Sequence, residues 1–403
     1  MNGKRLIIPA LLVLLLIFMS AGAYAGEAEN LTGSCKIGLC KSKRTAVRMT
    51  DGQYTTYWES EKTKNPYVTI TSDRPVYGLY LCFRAMPEHY EIQAGSGSDK
   101  WTTVCDGDTR YWHVFYPLDG VKKIRIIADG DKKCVLGFNE LFVFGEGEVP
   151  GWVQRWKEPA EKADVLFLVA HPDDELIFLG GAIPTYAVEM KKNVVVAYLS
   201  WSNTTRRSEA LNGLWEMGVR NYPVFGGFSD TYSSKAADAY KKIKGGKKAV
   251  LGWVTGLFRT YRPEVVVTHD INGEYGHGQH KMIADAAINC YDAAADGTQY
   301  TDVPGAWQVK KLYIHLYGDE TNRTAFDWTV PLESMDGRTG LELASSAYSL
   351  HKTQATASVK IRGKWHKLSV EETGSMYPNT AFGLYRSEVG DDVTHLDFLE
   401  NIN

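Results

Sequence analysis

The chain has 403 residues, 44% of them hydrophobic, with 45 Lys+Arg against 48 Asp+Glu. That length passes the roughly 250–300 residues at which a single core stops growing, so two or more domains are expected. The balanced charge, with no basic block, argues against nucleic acid as a partner, because neutralising phosphates takes clustered Lys and Arg.

Residues 1–25 read as a signal peptide. Lys4 and Arg5 are its positive start, Leu6 to Met19 its apolar stretch, and Ala23-Tyr24-Ala25 a small-residue cleavage site. The apolar run is short of the about 20 residues a membrane span needs. Nothing after residue 26 is long and apolar enough to span, so no integral membrane domain is expected after cleavage. An uncleaved anchor is the alternative. The protein is expected to be secreted, extracellular or attached at the cell surface. Cys35, Cys40, Cys82, Cys105 and Cys134 precede residue 150 and Cys290 stands apart. In an oxidising compartment this clustering predicts disulfides, with Cys35 and Cys40 near enough to close a small loop.

Residues 30–148 read as an all-β sandwich. Short runs rich in β-branched and aromatic residues (Tyr67–Thr71, Val76–Leu81, His89–Gln93, Lys123–Ile127) alternate with turn signals such as Gly95–Asp99. Gly, Pro and charge around Gly145–Gly151 mark a connection, and the linker is set at 149–159. From 160 to 403 the pattern changes. Apolar runs Val165–Val169, Val194–Leu199 and Val265–Val267 alternate with helical stretches at about Glu175–Met190, Arg206–Met217 and Leu251–Tyr261. Strands that read as buried on both faces, alternating with helices, predict a mainly parallel sheet in an α/β domain.

Two clusters follow strands in this domain. Ala170-His171-Pro172-Asp173-Asp174-Glu175 follows the first, and Thr268-His269-Asp270-Ile271-Asn272-Gly273-Glu274-Tyr275-Gly276-His277-Gly278-Gln279-His280 follows Val265–Val267. Ligands of open α/β sheets bind beyond the carboxyl ends of the strands. A single Asp there is explained by helix capping, but capping leaves His171 and the second Asp unexplained. His277 and His280, three apart, share a face of a helical turn. A hydrolytic zinc site takes three N/O ligands and leaves one position open, and His171, Asp174 and His280 would supply them. Iron or cobalt suits such a donor set as well.

These clusters resemble the PIG-L/LmbE-like de-N-acetylases, whose signature is AHPDDE after the first strand and GHxxH, usually GHPDH, further on. The first element is intact; in the second, Gly278 and Gln279 replace the usual Pro and Asp. The Arg206–Ala210 stretch is also similar to the family's Arg-rich helix start. The resemblance covers about residues 160–300 and weakens afterwards. It implies a Rossmann-like fold and zinc held by His171, Asp174 and His280. It also implies Asp173 as general base and His277 as acid or oxyanion stabiliser. Zinc polarises an amide carbonyl and lowers the pKa of water to roughly 7, which suits loss of an acetyl group from N-acetylglucosamine-type sugars.

Arg207, His269, Asp270, Glu274 and Tyr275 are candidate substrate contacts, set against a solvated helix face for Arg207 and turn roles for Asp270, Glu274 and Tyr275. His315, in an alternating strand, reads as structural or as support for the site. In the first domain, Thr50–Trp58, Trp101 and Leu136–Phe144 resemble the discoidin-like, galactose-binding-like sandwiches, which implies possible glycan binding. The expected partner is therefore an N-acetylated sugar or glycan. A zinc amidase or esterase on non-sugar substrates, or a non-catalytic glycan-binding adhesin, are the rival readings.

Overall fold

The computed structural model describes residues 26–97, 100–201, 203–303 and 305–402. The expected signal peptide, residues 1–25, lies outside them. Among the described residues no helix is long and apolar enough to cross a membrane.

The first seven strands are β1 (Lys36–Leu39), β2 (Trp58–Glu59), β3 (Tyr67–Ala85), β4 (Tyr90–Ser96), β5 (Lys100–Asp106), β6 (His113–Ala128) and β7 (Gly137–Phe144). They form one antiparallel sheet ordered β2-β7-β3-β6-β4-β5, with β1 paired to the start of β3. The runs expected as separate strands, Tyr67–Thr71 and Val76–Leu81, are joined in β3, whose register shifts between Thr71 and Gly78. Bulges bend a strand and increase its twist. Both halves of β3 therefore serve one core, Val68 and Ile70 from the first and Leu79, Leu81 and Phe83 from the second. All six cysteines are unpaired, which corrects the expected disulfides. Cys35 and Cys40 flank extended β1, where a rise of about 3.3 Å per residue carries them past the roughly 7 Å a bridge tolerates.

The remaining elements alternate as expected. They are β8 (Val165–Val169), α1 (Asp174–Ile177), β9 (Val194–Tyr198), α2 (Thr204–Glu216), β10 (Val224–Phe225), α3 (Ala236–Lys242), α4 (Gly246–Tyr261), β11 (Val265–Thr268) and α5 (Gly278–Ala295). After them come β12 (Lys311–His315), β13 (Arg323–Ala325), α6 (Gly340–Ser349), the hairpin β14 (Ser358–Ile361) and β15 (Lys364–Lys367), α7 (Val370–Met376) and β16 (Ala381–Ser387). The second sheet runs β10-β9-β8-β11-β12-β16-β13; the first five strands are parallel, and β16 and β13 form an antiparallel edge. Every residue of β8, β9 and β11 is buried, each Val, Leu or Phe among them worth about 1.5–3 kcal/mol against exposure. The helix expected over 175–190 stops at Ile177, and a short π-helical turn, Thr185–Glu189, follows. Gly180, Gly181 and Pro184 lie between. Glycine is a poor helix former, and proline removes an intrahelical hydrogen bond.

The chain leaves β8 for β9 and β10 on one side, then returns to β11 and β12 on the other. The loops after β8 and β11 diverge at that reversal, which opens a crevice beyond the strand ends.

Helix α2 joins the two regions. Ser208 Oγ donates to His113 Nε2 of β6 at 3.1 Å, and His113 Nδ1 donates to Gln154 Oε1 at 2.9 Å. Gln154 Nε2 donates in turn to Asn212 Oδ1 at 2.7 Å. Arg207, 1% exposed, donates to the Phe83 carbonyl at 3.1 Å, and its guanidinium lies 3.3 Å from the centre of the Trp112 ring and 4.9 Å from that of Trp201.

Candidate metal and catalytic site

The loop after β8 carries His171, Asp173 and Asp174, and the loop after β11 carries His269 to His280; all of these except Tyr275 and three loop residues between are buried in the crevice. His171 Nδ1 lies 3.1 Å from Asp174 Oδ2, and His280 Nε2 lies 3.3 Å from Asp174 Oδ1. Two sets of ligand atoms fall within 4.8 Å of one another: His171, His277 and His280, and Asp174, His269 and His280. Neither set is the expected trio: His171 and His280 share the first, and Asp174 and His280 the second. The donors suit a borderline cation such as zinc. The fit is sharpest at His280, whose buried Nε2 has no hydrogen-bond partner. Burial alone would raise Asp174, but the imidazoles of His280 and His171 hold its carboxyl well below the usual range. Burial opposes the charged form of His171, and the Asp174 carboxylate outweighs it and raises the ring's pKa.

Asp173 caps α1 with φ at 109°. A non-glycine residue there is strained, and such strain gathers at functional sites. Its amide donates to Glu175 Oε2 at 2.8 Å, and its Oδ1 accepts from Arg206 Nη2 at 2.7 Å. The same Arg206 nitrogen also donates to the Pro172 carbonyl. Burial raises the Asp173 carboxyl against the pull of Arg206, a direction that suits a base. Burial, with the imidazoles of His280 and His171 beside it, lowers His277 to about 2. Its Nδ1 accepts from the Gln279 amide at 3.3 Å, so this neutral ring carries its proton on Nε2. His277 thus offers an N–H donor at Nε2.

Glu274 organises the second loop. Its Oε2 accepts from His269 Nδ1 and His280 Nδ1, each at 2.7 Å, and its Oε1 from His315 Nδ1 at 2.6 Å and the Asp270 amide at 3.1 Å. These bonds fix the protons on Nδ1 and turn His280 Nε2 toward Asp174. Despite burial, His269 and the other rings hold the Glu274 carboxyl well below its usual range.

Several candidate substrate contacts have partners within the protein. Glu274 and His269 are 0% exposed; the first orients imidazoles, and the second stacks on His280 with ring centres 4.1 Å apart. Asp270 closes a turn, its Oδ1 accepting from the Asn272 amide at 2.9 Å. Arg207 is spent in the inter-region contact, and the arginine in the crevice is its neighbour Arg206. Tyr275 does line the crevice, half-buried, its ring 5.8 Å from His277 and 5.3 Å from His280. His315 supports the site through Glu274, as its strand position allowed.

Sequence reasoning missed Arg206, Gln279, Asp230 and Tyr232. Asn203 held a signal for the first: as an N-cap accepting from the Thr205 and Arg206 amides, it sets the helical phase that sends Arg206 to the crevice. Gln279 Oε1 accepts from His171 Nε2 at 2.9 Å and from the Thr231 amide at 2.8 Å, and its Nε2 donates to the Ser229 carbonyl at 2.9 Å. The Gly278 amide donates to the Ser233 carbonyl at 2.7 Å. Proline cannot make that bond, and any Cβ at 278 would strike Ser233 Oγ. The two positions that depart from the GHPDH pattern thus both hold the loop Ser229–Ser233.

A mainly parallel α/β sheet with a buried His–Asp cluster in its reversal crevice defines the class, a domain with a candidate cation site beside a second carboxylate. Comparison adds that residues 166–291 match the model of the PIG-L family, GlcNAc-PI de-N-acetylase. A 1D-myo-inositol 2-acetamido-2-deoxy-alpha-D-glucopyranoside deacetylase of Geodermatophilus obscurus is 26% identical over 278 residues, 56% of this chain and 93% of that protein. The solved N,N'-diacetylchitobiose deacetylase from Pyrococcus horikoshii is 17% identical at a TM-score of 0.36, covering 50% of this chain and 74% of its own. The family 32 CBM from C. perfringens NanJ, solved with galactose, is 15% identical at a TM-score of 0.26, covering 29% of this chain and 98% of its own.

Proposed function

We propose that this protein is a secreted, zinc-dependent hydrolase that removes the acetyl group from N-acetylglucosamine-type sugars in glycans or glycosides. The observation that carries the reading is the meeting of His171, Asp174 and the unpartnered His280 Nε2 beside Asp173. The activities named for the relatives agree with it. In this reading residues 1–25 direct export, 30–148 bind glycan, and 160–403 form the catalytic domain. The 3-2-1-4-5 order of the parallel strands supports its description as Rossmann-like.

His171, Asp174 and His280 hold the zinc, which supplies Lewis acidity toward the amide carbonyl and toward water. Asp173, its carboxylate aimed by Arg206, takes the proton of the attacking water. The Nε2–H of His277 donates to the carbonyl oxygen as negative charge develops there. The tetrahedral centre then collapses, the C–N bond breaks, and the proton held at Asp173 passes to the departing amine. Acetate and a free amino sugar leave.

Asp173→Asn keeps the ligands and removes the base. Zinc content should stay at the wild-type level while acetate release slows by about 10²–10⁴-fold. Normal turnover in this variant would overturn the assignment of the base. Absence of zinc from the purified protein, or of acetate from every N-acetylated saccharide tried, would overturn the function.

A further inference from the structure

The loop Ser229–Ser233 has no part in the mechanism above, yet it is tied to the site at three points, through Gly278, Gln279 and, by Gln279 Oε1, His171. Lys281 Nζ adds a fourth tie just beyond it, donating to the Ser234 carbonyl at 3.0 Å. The loop carries two side chains to the crevice. Asp230 Oδ1 lies 3.4 Å from His171 Nε2. The Tyr232 ring meets His277 edge to face, centres 5.5 Å apart, and the residue is 74% exposed.

An aromatic side chain this open contributes little apolar burial to folding. A flexible loop would let it fold back, but here the backbone on both sides is pinned: Thr231 by its amide, Ser233 by its carbonyl, and the Tyr232 carbonyl by Lys242 Nζ. The ring is thus held beside His277, the donor to the acetyl carbonyl, with most of its surface facing outward. A pyranose ring has an apolar C–H face of matching size, and a sugar joined to the acetylated residue must extend out of the crevice past its rim. We propose that Tyr232 is the platform of a second sugar subsite, which selects substrates with a further ring attached to the N-acetylated residue over the free monosaccharide. This rests on the deacetylase reading and narrows its substrate class.

The test compares acetate release from N-acetylglucosamine and from N,N'-diacetylchitobiose by the full-length, zinc-loaded enzyme. One aromatic face against one ring is worth about tenfold. Wild type should favour the disaccharide in kcat/KM by about that factor. Tyr232→Ala should abolish the preference by raising the disaccharide KM about tenfold, with kcat little altered. Tyr232→Phe, which keeps the ring, should restore it. A wild type without the preference, or a Tyr232→Ala enzyme that keeps it, overturns the subsite. Calorimetric titration with N,N'-diacetylchitobiose separates the two readings. Binding lost in Tyr232→Ala but present in an inactive wild type would uphold the subsite and end the deacetylase reading. Acetate release with Tyr232-independent binding would do the reverse.

Discussion

The inter-region contact and the crevice each bury histidine, and they treat it in opposite ways. His113 faces an amide oxygen and two hydroxyls, with a buried arginine near and no carboxylate among its hydrogen-bond partners. Burial and Arg207 lower it to about 3, so it stays neutral and every ring nitrogen is used. In the crevice, His171, His269, His280 and His315 each face a carboxylate, and one nitrogen, His280 Nε2, is left over. A buried imidazole with neutral partners joins two pieces of structure. Imidazoles oriented by carboxylates around an unused nitrogen have the arrangement of metal ligands.

Three changes would break or sharpen that contrast. The largest effect is expected from Glu274→Gln, which keeps the shape but removes the charge orienting three rings. Zinc affinity, measured by chelator competition, should fall about 10–100-fold; wild-type affinity would reduce Glu274 to a packing residue. The second concerns pH. His113 takes up a proton near 6.5 when unfolded but only near 3 when folded. Its contribution is therefore fully present above pH 6.5 and is lost as pH falls from 6.5 toward 3, by up to about 1.4 kcal/mol per unit. Thermal unfolding of His113→Gln should show a shallower acid slope than wild type over that window, and equal slopes would refute the neutral linker. The smallest effect belongs to Asp270→Asn, whose side-chain oxygen still accepts from Asn272. Stability should change by under about 1 kcal/mol with KM for the sugar unmoved, whereas a large rise in KM would return Asp270 to the substrate.

The same contrast explains what the sequence disclosed. Strand periodicity and the two strand-end clusters were legible because both are local: β8, β9 and β11 fall where Val165, Val194 and Val265 open apolar runs. The convergence of His171 with His280 was legible through motif resemblance. Which arginine entered the crevice was not, because helical phase rests on the Asn203 cap and on Trp112, far away in sequence, holding Arg207. Glu274 read as a substrate contact or a turn residue, since its partner His315 lies 41 positions on. Tyr232 left no signal, because its placement depends on a backbone amide at Gly278 and a side-chain amide at Gln279.

Arg206 and Arg207 leave the same turn of α2 roughly 100° apart around its axis, one clasping Asp173 and the other held between Trp112 and Trp201. The helix is keyed at both ends of this adjacent pair, so it cannot roll toward one region without loosening its grip on the other. The N-terminal sheet and the crevice are consequently not beads on a string: swinging the sheet away would drag on the clasp that points the Asp173 carboxylate.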